Sequence, residues 1–326
     1  MSFVILRDGR GLAQAVLEDA ALIEQVAALQ AESVVRVEGE VVATPQAPRG
    51  AEVRVDKLVV VSAAVEPLPF ELYRPQIPVQ LPTFLDHAAV GLRHPRQRAM
   101  LRLAAASAEG FRHALRAEHS VEIFTPKLVA TATEGGANVF SVDYFGRQAY
   151  LAQSPQFYKQ TMVGVFERVF EVGPVFRAEP HDTPRYLNQY ASLDAEIGFV
   201  EDHTTVMAFL ERAIAGMLHC LQREATEELQ LLGCELPEPP IGAPAIDFVE
   251  AQRLIEAATG VAVVGEPDLA PSHERWLGEW AMREHGSEFV FVTGYPLESV
   301  RSIPIPTRPG QARQNRSTCC SVVWRS

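Results

Sequence analysis

Residues 169–196 read VFEVGPVFRAEPHDTPRYLNQYASLDAE. The opening run, through Phe176, is apolar enough for a buried strand and ends in Arg177-Ala-Glu179. A loop through His181-Asp-Thr-Pro follows, and a second strand is expected to return at Ala191. Alternate side chains of an antiparallel pair share a sheet face, so Arg177 and Glu179 should point the same way. Arginine is always charged and grips a carboxylate or phosphate bidentately. His181 and Arg185, on the loop, should lie over the same face. Taken alone, an Arg-x-Glu at a strand end reads as an ordinary ion pair. Its surroundings change that.

Two other stretches carry charge where a core pattern should continue. One is Glu122-Ile-Phe-Thr-Pro126-Lys-Leu, followed by Ala130-Thr-Ala-Thr-Glu134-Gly-Gly136; the other is Leu151-Ala-Gln-Ser-Pro-Gln156-Phe-Tyr-Lys159-Gln160. Around them the pattern predicts a helix over Arg96–Glu118, entered through Pro95, and one long helix over Asp202–Leu232. Short strands are expected at Val121–Phe124, Gln148–Ala152, Arg168–Val172 and Leu193–Phe199. Ser272 is read as the cap of a helix running to Gly286, ahead of a core strand at Phe289–Thr293. Distant strands with few tight hairpins predict a mixed or antiparallel sheet with flanking helices, an α+β arrangement.

The first 65 residues differ. They alternate with period two and give the order strand, strand, helix, strand, strand, with a hairpin turn at Arg7–Gly11 and strands at Ser33–Thr44 and Val53–Ala63. That order is a five-stranded oligonucleotide-binding barrel without its opening strand; a small open sheet is the alternative. Residues 66–82 hold five prolines in seventeen positions and read as a semi-rigid linker.

Composition narrows the function. The 326 residues are 47% apolar and 21% charged, with 29 basic against 41 acidic side chains, a net charge of −12. Collagen, a disordered acidic tail and a membrane protein are excluded, and nonspecific coating of nucleic acid is disfavoured. The chain reads as cytoplasmic, without a leader or an 18-residue uncharged apolar run. Cys220, Cys234, Cys319 and Cys320 have neither zinc spacing nor the numbers for a disulfide framework. No GxxxxGK[ST] or GxGxxG sequence occurs, so a bound nucleotide must be held by side-chain cations. Trp276 and Trp280, one helical turn apart, read as core; His203 and His219 lack ligand spacing; Cys220 and Cys234 read as buried apolar groups.

The three charged segments, in this order, resemble a class II aminoacyl-tRNA synthetase, most closely the aspartyl type of the archaeal or non-discriminating kind. The resemblance runs from about Phe3 to Pro296 and rests on T-P-K, TEGG, QSPQ-x-x-KQ and FRAE together. It implies an incomplete OB-like anticodon-binding domain over 1–65, a linker or hinge over 66–95, a class II catalytic domain over 96–298 and a non-family tail over 299–326. It further implies a homodimer through the Pro126 segment. Glu134 would bind the α-ammonium group of aspartate, and Gln156 and Lys159 would hold the amino acid, with Lys159 on its side-chain carboxylate. Arg177 would bridge the substrate carboxylate and the α-phosphate. Glu179 would contact the adenine region, Arg185, Tyr186 and Leu187 the nucleotide, and Tyr190 would stack on adenine. Lys159 and Arg177 are the implied catalytic pair.

The implied reaction joins L-aspartate to the α-phosphate of ATP, releasing pyrophosphate, and then passes the aspartyl group to tRNA(Asp), with tRNA(Asn) left open as a second acceptor. Two anions must be held side by side, so catalysis is positioning plus electrostatic stabilisation, with Mg2+ at the phosphates. An ammonium in the pocket pairs with aspartate but leaves asparagine a poor partner, since an unpaired desolvated charge costs about 3–5 kcal/mol. Three departures stand out. Tyr186 and Gln189 replace the residues usual in the ATP loop. The opening barrel strand has no counterpart. The tail 299–326, arginine-containing and free of acidic residues, matches neither the magnesium-binding segment nor the third class II signature, so no metal ligand is expected in this chain. Little or no aspartyl-adenylate formation is therefore expected of the chain as written. A noncatalytic relative that binds tRNA or a partner, and a tRNA-independent amide-forming ligase, are the competing readings.

Overall fold

Alternating apolar residues build the first sheet. The computed structural model describes residues 1–133, 138–179, 187–296 and 320–324, and the chain divides into two units, Met1–Arg98 and Ala99–Ser326. In the first unit β1 (Ser2–Arg7) and β2 (Leu12–Leu17) form an antiparallel hairpin. The Asp8 carboxylate accepts the Arg10 and Gly11 amides in its turn. Helix α1 (Ala20–Ala27) starts at Asp19, whose side chain caps the Ala21 and Leu22 amides. Strands β3 (Val34–Ala43) and β4 (Ala51–Ser62) complete the order β1-β2-β4-β3, with β2 and β4 parallel. Ala15, Leu17, Val55 and Leu58 are buried beneath Leu22, Ile23 and Val26 of α1. Gly39 sits at a register shift where a Cβ would lie 1.9 Å from the Arg54 carbonyl oxygen, so only glycine fits.

The proline-rich stretch is anchored rather than merely extended. Phe70 and Leu72 are buried, the Phe70 ring meets His87 edge-on, and His94 reaches the Arg74 carbonyl oxygen at 2.8 Å. Two short helices, α2 (Leu81–Asp86) and α3 (Ala88–Gly91), lie within the expected linker or hinge. Pro82 belongs to the first turn of α2, where its missing N–H costs nothing.

Helix α4 (Pro95–Ala117) leads into the second unit. There follow β5 (Val121–Glu122), β6 (Leu128–Val129), β7 (Ser141–Tyr144), β8 (Arg147–Leu151), α5 (Gln156–Phe166), β9 (Arg168–Phe176), β10 (Gln189–Ile197), α6 (His203–Glu224), α7 (Thr226–Leu232), β11 (Ala245–Asp247), α8 (Phe248–Thr259), α9 (Pro271–His285), β12 (Phe289–Thr293) and β13 (Cys320–Trp324). They make three small sheets, β10-β9-β5, β6-β8-β7 and β11-β12-β13. The single helix expected over 202–232 is two, because Ala225 leaves helical geometry between α6 and α7. The cap of α9 is Ala270 rather than Ser272, since Pro271 takes the first helical position. Of the tail, residues 320–324 run antiparallel to β12.

Helix α6 is long and apolar enough, by composition, to cross a membrane. Its Phe209 and Ala213 instead pack with Phe111, Leu115 and Phe170. Glycine lets α4 and α6 approach closely: a Cβ on Gly110 would stand 2.8 Å from the Gly216 carbonyl oxygen. A separate core of Ile246, Phe248, Ile255, Leu277, Val290 and Val292 lies under α8, α9 and β12, with Trp276 and Trp280 packed against it, as their spacing suggested. Cys220 is buried but Cys234 is exposed, contrary to expectation, because it follows the left-handed Gly233 that ends α7.

Candidate active site

The site is built on the pair β9–β10, whose register sets what each face carries. Glu171 lies opposite Asp194, Gly173 opposite Ser192, and Val175 opposite Tyr190. Directly opposed residues share a face, and so do residues two apart on a strand. Phe170, Val172, Ala195 and Ile197 therefore turn to the helices and join the apolar core. Glu171, Tyr190, Ser192, Asp194 and Glu196 take the other face. One strand pair thus separates a dry side from a charged one.

Helix α5 brings Lys159 onto the charged face. Its side chain is 6% exposed, and Nζ donates to Asp194 Oδ1 at 2.8 Å and lies 3.6 Å from Glu196 Oε2. The Ser192 hydroxyl donates to the second Asp194 oxygen and fixes that carboxylate. An ammonium group has three N–H donors, so Asp194 can orient Lys159 without exhausting it.

Arg177 stands at the end of the same strand pair. Its backbone N–H donates to the Asn188 carbonyl oxygen at 3.0 Å, one step past the last β9–β10 rung. Its guanidinium carbon is 6.0 Å from the centre of the Tyr190 ring, a cation–π distance. Tyr190 and Asp194 are four residues apart, about 13 Å along a strand. Arginine and lysine therefore mark the two ends of one polar strip. Glu179 is half-buried just beyond, its N–H donating to the Arg177 carbonyl oxygen. Gln156 opens α5 and is half-buried, whereas Leu187 is exposed. Glu134, His181, Arg185 and Tyr186 lie outside the described residues.

Several polar groups on this face had no role assigned from sequence. Glu171 is 4% exposed and accepts from Thr125 N (2.9 Å), Thr125 Oγ1 (2.7 Å) and Lys127 Nζ (2.8 Å), so it ties both flanks of Pro126 to β9. Asp194, Glu196 and Ser192 were equally missed. The signal was present, since each charge breaks an apolar run of a core strand.

The first unit holds a second candidate site. A cavity of about 390 Å³ is lined by Phe3, Gln14, Glu18, Gln46, Glu52 and Arg54, among others. Gln14 Nε2 donates to Glu52 Oε2 at 3.1 Å across its wall. An aromatic ring beside amide, carboxylate and guanidinium groups suits a single unstacked base.

An acidic chain that gathers cations on an antiparallel strand pair, with no glycine-rich phosphate loop, and that also carries an open OB-ordered unit, has the design of a class II tRNA synthetase. Comparison with known proteins places it more closely. Residues 81–320 match the model of the tRNA synthetases class II (D, K and N), and residues 1–61 match that of an OB-fold nucleic acid binding domain. The first of these runs past Pro296, where the resemblance read from sequence ended. The Aspartate–tRNA(Asp/Asn) ligase of Deinococcus radiodurans is 45% identical over 91% of this chain, and that of Thermus thermophilus 43% over 97%. The chain spans 66% and 72% of the lengths of those two relatives. Asparaginyl-tRNA synthetase from Pyrococcus horikoshii, solved with asparaginyl-adenylate, superposes with a TM-score of 0.83 at 29% identity, covering 99% of this chain and 73% of that one. The chain belongs to the class II tRNA synthetases, within their aspartyl-tRNA synthetase branch, a family of ligases.

Proposed function

We propose that this chain activates L-aspartate with ATP and serves tRNA(Asp), with tRNA(Asn) as a second acceptor; the family match running to residue 320, past the point where the sequence reading broke off, supports this over the expectation of little adenylate formation. The observation that carries the reading is Lys159, an ammonium group 6% exposed on the charged face of β9–β10 and oriented by Asp194. A substrate with a side-chain carboxylate completes the shell of that ammonium. Asparagine offers a neutral amide instead, and a lysine substrate would bring a second cation against the first.

The proposed roles follow the strip. Lys159 and Gln156 hold the side-chain end of aspartate. Arg177 neutralises the substrate α-carboxylate and the α-phosphate, bringing two anions into line, which is the positioning and electrostatic part of catalysis. Tyr190 and Glu179 take the adenine end, with Arg185, Tyr186 and Leu187 on the nucleotide. Glu134 pairs with the α-ammonium group. The attack forms the bond from carboxylate oxygen to α-phosphorus and breaks the bond to pyrophosphate. Mg2+ is the ion the chemistry calls for, but among the described residues no group of three or more His, Cys, Asp or Glu side chains converges to hold a metal.

The OB unit is proposed to read a tRNA base in the pocket of Phe3, Gln14 and Glu52. A homodimer through the Pro126 segment is supported by Phe124, two residues earlier, which is 84% exposed. The setting proposed is the cytoplasm. The reading is tested by calorimetric titration of the chain with a nonhydrolysable aspartyl-adenylate analogue, the aspartyl sulfamoyl adenosine. Saturable one-to-one binding is expected, and its absence would contradict the assignment.

A further inference from the structure

We propose that the hydroxyl of Thr133 is a positioning group that sets where helix α5, and with it Lys159, meets the charged face; this rests on the aspartate-site reading above. Thr133 is 5% exposed. Its Oγ1 accepts two backbone amides from a segment 20 residues later, Gln153 N at 3.0 Å and Ser154 N at 3.2 Å. Gln153 and Ser154 are themselves 0% and 4% exposed, so water does not replace the bond. They form the turn into α5. The helix has Pro155 as its cap residue and no side-chain cap hydrogen bond there. Ser154 Oγ then accepts the Gln156 amide at 3.3 Å, and the Lys159 amide closes onto the Pro155 carbonyl oxygen at 2.9 Å.

The order of dependence is short. Thr133 holds residues 153–154, Ser154 holds Gln156, and Lys159 lies one turn further on. The same turn is fixed from its other side, where the Phe176 amide, one residue before Arg177, donates to the Ala152 carbonyl oxygen at 3.0 Å. A methyl in place of the hydroxyl takes away the acceptor that both buried amides share. The turn must then shift, and Lys159 loses its register against Asp194 and Glu196.

The test compares the full chain with T133V, which keeps the shape, and T133S, which keeps the oxygen. In T133V, amide hydrogen exchange is expected to quicken in peptides covering 152–166 and to stay unchanged in the α8–α9–β12 core. Affinity for the aspartyl sulfamoyl adenosine should fall by about tenfold, the size expected of an unmet buried amide. T133S should restore both. Unchanged exchange over 152–166 in T133V would overturn the proposal, as would a loss spread equally over the second unit and shared by T133S. If the unsubstituted chain fails to bind the analogue, the function falls, while the exchange comparison still decides the role of Thr133.

Discussion

The N-terminal unit and the β9–β10 sheet both keep charged groups close to an apolar core, but they keep them differently. On the β9–β10 sheet the pairs are sunk: Glu171 and Lys159 are both nearly buried, each with a partner at 2.8 Å. In the N-terminal unit Gln14 and Glu52 meet in the wall of an open cavity, and Lys57 pairs with Glu38 on the exposed surface. Burying charge is expensive and tolerable only when every member is paired, so sunken pairs mark places where geometry must be held. Exposed pairs hold little and can rearrange around a ligand.

That contrast fixes a ranking of effects. Lys159→Met should be the most damaging, because it strips Asp194 of its ammonium partner and the substrate carboxylate of its own. Affinity for the aspartyl sulfamoyl adenosine should drop by roughly 100-fold or more, from the cost of about 3–5 kcal/mol for breaking a buried pair. Glu171→Ala removes the acceptor for Thr125 and Lys127 and should cost about 3 kcal/mol of stability, seen as a lower midpoint in urea denaturation of the second unit. A change no larger than that of an exposed pair such as Lys57–Glu38 would break the comparison.

Phe3→Ala should weaken tRNA binding by about 1–3 kcal/mol, the worth of one stacked base, and leave binding of the adenylate analogue unchanged. The smallest effect concerns Glu32. Burial pushes its carboxyl up, but hydrogen bonds from Arg7 and Arg93 outweigh that and leave it below the ordinary glutamate range. A depressed carboxylate contributes stability above its unfolded value, about 4.3, and that contribution fades as pH falls through the lower folded value. Thermal melting of the first unit should therefore lose stability in that acidic window. Glu32→Gln should flatten the dependence.

The same contrast explains what could be read from sequence. Lys159 and Arg177 were legible because a cation inside a core pattern needs a reason, and QSPQ and FRAE supplied a family. Glu171 and Asp194 were equally visible as interruptions of β9 and β10, yet their lysine partners come from 44 and 35 residues away and only the tertiary structure reveals them. Phe3, Gln14 and Glu52 could not be picked out, since polar and aromatic side chains on an alternating strand look like any solvated face. Tertiary detail also decided the break at Ala225 and the cap at Ala270. Thr133 opens the TEGG motif, but nothing in the sequence pointed to its hydroxyl as the acceptor for amides 20 and 21 residues later.

The central claim is that one buried ammonium selects an acidic amino acid. Competitive calorimetry of the unsubstituted chain with aspartyl and asparaginyl sulfamoyl adenosine tests it most directly. A preference for the aspartyl compound of about tenfold is expected, because Asp194 already pairs Lys159 and the ligand adds a charge-assisted rather than a neutral hydrogen bond to the N–H donors left over. Equal affinity, or a preference for the asparaginyl compound, would contradict it.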